Sequence, residues 1–170
     1  MGAVPIQILR VIIWISLVGS LVVQLGFVPL VSWEMNDSGA PLAGILTLAA
    51  LIVLGVLGLQ VVGVSILRLL ALVRRGRVFS PTAFRHVDRI IGAVAGEAVL
   101  LFALAVFASI VNRLTPGDEL APGLIGMICG ASLVLAGVAL VIYVQRQLLA
   151  QATETLARAE GLQSELDEVI

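Results

Sequence analysis

Four long stretches of hydrophobic residues alternate with short polar segments along the chain. They cover residues 11–31, 42–67, 90–111 and 123–144. A helix needs roughly 20 apolar residues to cross a hydrocarbon core about 30 Å thick, and each stretch is long enough. None alternates as a membrane strand does, and only helices satisfy their backbone hydrogen bonds within one lipid-exposed segment. The pattern predicts an all-α fold, a four-helix transmembrane bundle with helices at residues 8–32, 42–73, 81–112 and 123–146.

The segment between the second and third stretches carries signals for helix ends. Gly76 can end the second helix in a left-handed cap. Ser80 followed by Pro81 is typical of the N-cap and first position of a new helix. We therefore expect the third helix to begin in the cytoplasm near Pro81 and to enter the bilayer at about Ile90.

The pattern changes after Val144 from continuously apolar to amphipathic. Mostly apolar residues recur at alternating spacings of four and three, as in a helix that packs along one face. These residues are Leu148, Ala152, Thr155, Ala159, Leu162, Leu166 and Val169. Gly161 interrupts the stripe and costs about 1 kcal/mol in helix propensity. The chain thus divides into a transmembrane domain, residues 1–144, and a cytoplasmic amphipathic helical tail, residues 145–170.

Composition agrees with a membrane protein. The 170 residues fit one domain, but 60% are hydrophobic, 12% are charged, and the mean hydropathy is +1.14. Average soluble domains contain about 45–50% apolar and about 25% charged residues. A soluble fold of this size could not bury so much apolar surface.

The positions of the arginines predict the orientation, because cytoplasmic segments near helix ends carry the excess of positive charge. Nine of the ten lie before the first helix, around the second connection or after the fourth helix: Arg10, Arg68, Arg74, Arg75, Arg77, Arg85, Arg89, Arg146 and Arg158. Only Arg113 lies on the other side, among acidic residues. Both termini are therefore expected in the cytoplasm.

Glu97 is the acidic residue that lies well inside a hydrophobic stretch. A charged carboxylate at this depth costs several kcal/mol unless it is paired or protonated, which makes Glu97 a candidate functional residue. Arg68 and Gln60 lie at similar depth on the second helix, so we expect an Arg68–Glu97 pair, either bidentate or bridged by Gln60. Such a pair could fix the helix register, or it could serve transport or sensing.

Other residues give no sign of catalytic or metal chemistry. His86 has no second histidine, cysteine or suitably spaced carboxylate, whereas zinc usually needs three or four protein ligands. Cys129 is the single cysteine and lies inside the fourth stretch. No serine has an activating histidine and acid, and the glycines form no phosphate loop. We expect no catalytic residue, no metal and no cofactor, and the chain is predicted not to be an enzyme.

Glycines at four-residue spacing instead predict close helix contacts inside the bundle. The pairs are Gly92 with Gly96 and Gly126 with Gly130. Further small residues that could serve such contacts are Gly55, Gly58 and Gly63 on the second helix and Ser16 and Ser20 on the first.

The arginines of the inner segment form a second candidate site. Each arginine near the surface can contribute about 1 kcal/mol to the binding of anionic lipid. They could equally form a docking surface or do no more than set the topology. The residues are Arg74, Arg75, Arg77, Arg85 and Arg89.

Two segments carry a resemblance to a known family. The inner segment reads RRGRVFSP at residues 74–81 and RIIG at 89–92, and the chain ends in SELDEVI at 164–170. With the four-helix layout, these segments resemble the small bacterial four-pass membrane proteins of the domain of unknown function 2975 family. The resemblance implies a bacterial cytoplasmic-membrane protein with no established activity, often encoded beside a small helix-turn-helix DNA-binding protein. It supplies no catalytic residues.

These observations favour a non-enzymatic inner-membrane protein with a regulatory or partner-docking role on its cytoplasmic loop and tail. The expected partners are the lipid bilayer and a soluble helix-turn-helix regulator, and a homo-oligomer stays open. Direct contact with nucleic acid is not expected, because topology already accounts for the arginine positions. The alternative is a small oligomeric transporter or efflux component that uses Glu97.

Overall fold

The computed structural model describes residues 3–37, 39, 41–74, 81–114 and 120–169, which are almost entirely helical. The elements are α1 Ala3–Val22, a π-helical segment Val23–Phe27, α2 Val28–Asp37, α3 Leu42–Arg74, α4 Pro81–Leu114 and α5 Pro122–Val169. Four stretches within them are long and apolar enough to cross a membrane. An all-α fold with four such helices is therefore confirmed.

The first crossing consists of α1, the π-helical segment and α2 in continuous succession. Pro29 lies just after the π-helical segment. Proline has no N–H to donate, and in a regular α-helix its ring clashes with the carbonyl four residues earlier. The widened turn, in which the Val28 N–H donates to the Val23 carbonyl, gives the ring room. Pro29 thus accounts for a departure from α-helix in the middle of an apolar stretch.

The helices pack as an open row. The first crossing lies against α3, α3 lies against α4, and α4 lies against α5. Among the described residues, α5 contacts neither α3 nor the first crossing, and the first crossing does not contact α4. The expected bundle is therefore not closed on itself. Closure is not required in a bilayer, because lipid tails are as apolar as leucine and cover the outer helix faces equally well.

Burial within the chain is sparse and depends on small side chains. Across the described ranges the buried hydrophobic residues are Ile13, Ile45, Ala83, Ala98, Ala105, Ala108 and Ala139. Alanines let the backbones of α4 and α5 approach closely, as is common between membrane helices. Large side chains mostly face outward, with Leu25 78% and Leu133 76% exposed. This outward-facing apolar surface is the kind that lipid covers.

The two glycine pairs do not lie at packed helix contacts. A Cβ added at Gly92, Gly96, Gly126 or Gly130 would have no heavy atom within 4 Å. The prediction that these pairs pack inside the protein is therefore wrong, because the open row leaves their helix faces uncovered. Close approach does occur at Gly63, one of the further small residues named for this role, where a Cβ would lie 3.4 Å from side-chain atoms of Ile13 and Leu17.

The helix ends show the local signals that form them. Gly39, between α2 and α3, has a φ of 76°, and its N–H donates to the Asn36 carbonyl at 3.2 Å. This left-handed conformation is typical of a glycine just after a helix. α4 begins at Pro81, the expected first helical position. The predicted caps at Gly76 and Ser80 lie outside the described residues.

The Asn112 side chain joins the last turn of α4 to Leu120, just before α5. The Asn112 amide donates to the Leu120 carbonyl at 2.8 Å, and its oxygen accepts from the Leu120 N–H at 2.9 Å. The Asn112 side chain thus satisfies both the N–H and the carbonyl of Leu120, as the backbone of a neighbouring strand would.

The last helix is much longer than a bilayer requires. α5 has 48 residues and corresponds to about 72 Å of helix. It passes Gly161 without a break, so the propensity cost expected at that residue does not end the helix.

Candidate functional site

A cluster of polar side chains joins the first crossing to α3 in the middle of the apolar region. Gln60 donates from Nε2 to Ser20 Oγ at 3.0 Å and to Gln24 Oε1 at 3.1 Å. Gln24 in turn directs Nε2 towards the Val53 carbonyl at 3.3 Å. Hydrogen bonds between membrane helices contribute about 0.6 kcal/mol on average. The cluster therefore fixes how the first crossing sits against α3.

Glu97 lies on the opposite side of α3, in a notch that glycines provide. A Cβ at Gly58 would collide with Glu97 Oε1, and a Cβ at Gly55 would lie 3.5 Å from Oε2. Only the missing side chain at Gly58 leaves room for the carboxyl group. Gly58 is close to the centre of the apolar span Leu42–Val73, so Glu97 is placed near mid-depth.

The carboxyl group of Glu97 has an unsatisfied atom. Oε1 is buried and has no hydrogen-bond partner within the described part of the chain. Grooves on the two sides of the α3–α4 seam reach the residue. One, of about 250 Å³, includes Gly96 and Arg89 in its lining, and the other, of about 230 Å³, includes Gly55 and Leu104. Glu97 is thus a polar group between two apolar grooves.

The expected ion pair between Arg68 and Glu97 is wrong. Arg68 lies ten residues beyond Gly58 on α3, about 15 Å along the helix axis. Gln60 does not bridge them either, because its amide nitrogen faces the first crossing. The register of α3 against α4 places the Gly58 notch, and not the guanidinium, opposite Glu97.

Arg68 lies near Arg89 instead. The two residues line one groove of about 410 Å³ along the seam between α3 and α4. His86 experiences the positive charge of both arginines, and its Nδ1 lies 3.5 Å from Arg89 Nη1. Gln60 forms part of the lining at the deeper end of this groove. Positive charge is therefore concentrated at one position along the contact between α3 and α4.

An ion pair ties α5 to α4. Arg146 Nε lies 2.9 Å from Asp88 Oδ1, and Nη2 donates to Oδ2 at 3.1 Å. The same guanidinium lies over the Phe84 ring, 5.6 Å from its centroid. Nη2 makes the hydrogen bond of this pair, while Nε is a close charge contact without hydrogen-bond geometry. Arg146 thus clamps α5 where the apolar part of that helix ends.

Four candidate arginines remain. Arg85 is exposed on α4. Arg74 is the last residue of α3, and Arg75 and Arg77 lie outside the described residues. Among the described residues, no three histidine, cysteine or acidic side chains form a group that could hold a metal ion.

Two contacts were not expected from the sequence. Ser132 on α5 donates from Oγ to the Ala98 carbonyl at 2.8 Å, directly after Glu97 on α4. A lone serine in an apolar stretch gives no signal of its partner. The Asp88–Arg146 pair joins residues 58 positions apart. Its only signal is that both charges lie where the apolar stretches of neighbouring helices end, on the same side of the predicted bundle.

Comparison with known proteins supplies the family. A family model described as a protein of unknown function (DUF2975) matches residues 34–170. The chain belongs to this family. The DUF2975 match begins in α2 and extends through α5, and it confirms the resemblance carried by the inner and terminal segments. No curated protein and no solved structure matches the chain. The DUF2975 description assigns no activity, so the function has to be argued from the sites.

Proposed function

We propose that the chain is a non-enzymatic, multi-pass protein of the bacterial inner membrane that docks a soluble regulatory partner on its cytoplasmic face. The observation that carries the proposal is the tail, residues 145–169, which continues α5 as a helix with exposed apolar side chains. The loop between α3 and α4 would complete the docking surface. The partner we favour is a small helix-turn-helix regulator. Whether it is held at the membrane would determine whether it can bind DNA.

The length of α5 supports this role. About 20 of its 48 residues suffice to cross the hydrocarbon core. The remainder corresponds to about 40 Å of helix, which extends beyond the membrane on one side. Leu148 is 59% exposed and Leu156 is 64% exposed. Exposed leucines on a projecting helix are typical of a helix that fits into a groove of a partner.

The clamp at Arg146 supports communication between the membrane and the tail. Arg146 holds the start of the tail against α4 through Asp88 and Phe84. A partner bound to the tail would therefore sense the position of α4 relative to α5. The arginine distribution supports the orientation that this role needs, with both termini and the tail in the cytoplasm.

Binding of the purified regulator tests the proposal. The full chain in a mild detergent is mixed with a small helix-turn-helix protein of the kind often encoded beside members of the family, and the affinity is measured for three forms of the chain. We expect Leu156→Glu to weaken binding at least tenfold, because it places a charge in the apolar contact. Gln151→Glu, at an exposed polar position of the tail, should bind like the unaltered chain. Equal affinity of all three forms, or no binding by any, would exclude docking through the tail.

Glu97 favours a second candidate, a small transporter or efflux component. Its buried Oε1 has no partner among the described residues, and grooves reach it from two sides. A transported cation or a proton would supply the missing partner. Glu97→Gln should then abolish uptake or efflux while leaving abundance and folding intact. Activity that survives this substitution would leave Glu97 with a packing role only.

A further inference from the structure

The groove between α3 and α4 combines two guanidinium groups with an apolar floor. Arg68 and Arg89 line its outer end, and both residues are exposed. Gln60 and Ser65 also line the groove, but most of the remaining surface comes from Leu57, Val61 and Val64, each about 40% exposed on the side of α3. A charged end followed by an apolar strip has the polarity of a phospholipid.

The depth of the arginines fits the headgroup region. Glu97 and Gly58 lie near the centre of the apolar span, and Arg68 lies about 15 Å from Gly58 along the helix. Half of a hydrocarbon core of about 30 Å is also about 15 Å. Arg68 is thus placed where acyl chains give way to phosphates. Leu57, Val61 and Val64 extend from that level back towards the centre.

The two guanidinium groups lack an acidic partner among the described residues. Neither Arg68 nor Arg89 takes part in an ion pair there, and the nearest acidic residue on α4, Asp88, is engaged by Arg146. His86 stands beside both arginines but offers no negative charge. The open row also leaves this seam uncovered by any other described helix. A phosphate bound from the bilayer would supply the counter-charge that the described side chains do not.

We propose that Arg68 and Arg89 form a binding site for the phosphate of an anionic phospholipid, whose acyl chain lies along Leu57, Val61 and Val64. The lipid comes from the leaflet on the side of the α3–α4 connection. Guanidinium groups suit this role because they bind phosphate oxygens in a two-point geometry. The lipid would lie across the α3–α4 seam and hold the two helices together at its charged end.

Lipid binding to the purified full chain tests the site. Native mass spectrometry from a mild non-ionic detergent can compare phosphatidylglycerol with phosphatidylcholine that carries the same acyl chains. Each arginine near the surface contributes about 1 kcal/mol, which corresponds to about a fivefold change in affinity. We expect Arg68→Gln and Arg89→Gln each to weaken phosphatidylglycerol binding about fivefold, and the double variant about 25-fold if the effects add. Phosphatidylcholine carries the same phosphate beside a choline cation, so it should bind more weakly to the unaltered chain and its binding should change less in these variants.

Matched variants separate a site from general positive charge. Arg113→Gln removes an exposed arginine from the other end of α4 and should leave phosphatidylglycerol binding unchanged. Inorganic phosphate at 10-fold excess over the lipid should displace little of it, because it lacks the acyl chain. Ready displacement would indicate a phosphate site and overturn the assignment to lipid.

Two outcomes would overturn the site itself. The first is equal affinity of the unaltered chain for phosphatidylglycerol and phosphatidylcholine, a result that needs no variant. The second is an Arg113→Gln effect as large as that of Arg89→Gln. If a glutamine variant fails to fold, Arg68→Lys and Arg89→Lys keep the charge that sets the topology. These lysine variants should still weaken phosphatidylglycerol binding, because an ammonium cannot reproduce the two-point contact.

Discussion

Replacing Gly58 by alanine would test the close contact between α3 and Glu97. An added Cβ would collide with Glu97 Oε1 and lie 3.0 Å from the carboxyl carbon and 3.4 Å from Cγ. The same change at Gly55 would place the Cβ 3.5 Å from Oε2, which is ordinary van der Waals contact. Gly55→Ala is therefore a matched control on the same helix, about one turn away.

Two opposing terms set the magnitude. Alanine is favoured over glycine in a helix by about 1 kcal/mol at either position. Inserting a methyl group into a closely packed site costs about 1–3 kcal/mol, and only Gly58 is such a site. The colliding oxygen ends a flexible side chain that can turn into the adjoining groove, so we take the lower end of this range and expect the free energy of unfolding to be about 1 kcal/mol lower for Gly58→Ala than for Gly55→Ala. The helix-propensity term cancels in this difference, which isolates the collision.

The assay is equilibrium unfolding in mixed micelles, followed by the helical circular dichroism signal. Both substitutions are also made in chains that carry Glu97→Ala or Glu97→Gln. Alanine removes the colliding carboxyl group, so the difference between the two glycine positions should disappear. Glutamine has nearly the same size as glutamate, so the difference should remain.

Two results would refute this reasoning. One is a Gly58→Ala chain that is as stable as Gly55→Ala. The other is a difference that survives Glu97→Ala, because the cost would then arise from a group other than the carboxyl.

Three further predictions concern the contacts between neighbouring helices. Gln60→Leu removes both hydrogen bonds to the first crossing and should lower the free energy of unfolding by about 1 kcal/mol in the same micelle assay. Pro29→Ala restores a backbone donor, so the π-helical turn should revert to α-helix and rotate Ser20 away from Gln60. A short thiol-reactive cross-linker between Ser20→Cys and Gln60→Cys should then give a lower yield. Arg146→Gln breaks the pair with Asp88, which contributes about 0–1 kcal/mol at this partial exposure. The substitution should speed hydrogen exchange at the start of the tail, and the increase should be smaller in high salt, which already screens the pair.

Each of these predictions has a control and a contrary outcome. Thr47→Val removes a hydroxyl that bonds within its own helix, to the Ala43 carbonyl, and should cost less than Gln60→Leu. An unchanged cross-linking yield in the Pro29→Ala chain would mean that the proline does not cause the π-helical turn. Arg158→Gln breaks a pair that lies wholly within the tail, with Glu154. If it speeds exchange at residues 145–150 as much as Arg146→Gln does, the clamp has no special role.

The helices could be predicted from the sequence, because the length of each apolar stretch and the absence of water in the bilayer determine the backbone conformation. Each stretch is long enough to cross a bilayer, and lipid leaves helix as the form that satisfies the backbone. The start of α4 at Pro81 could be predicted equally well, because Ser-Pro is a local sequence signal for the beginning of a helix. The π-helical segment had a signal too, since Pro29 lies inside an apolar stretch and must disturb the helix around it.

The contacts between helices could not be predicted in the same way. Counting residues from the edge of a stretch gives an approximate depth, but it does not give the rotation of one helix against another. Arg68 and Glu97 were therefore expected to meet, whereas the structure sets Glu97 against Gly58. The glycine pairs failed for a related reason. Spacing shows that Gly126 and Gly130 share a helix face, but not whether another helix covers that face.

The open row also has a consequence for how the chain is made. Among the described residues, each packed seam joins crossings that are consecutive in the sequence, so these seams do not have to wait for a distant part of the polypeptide. The first crossing can settle against α3 before the ribosome has reached Pro122, and α4 can join them before α5 leaves the translocon. Assembly can therefore proceed in the order of synthesis, with short loops to close at each step.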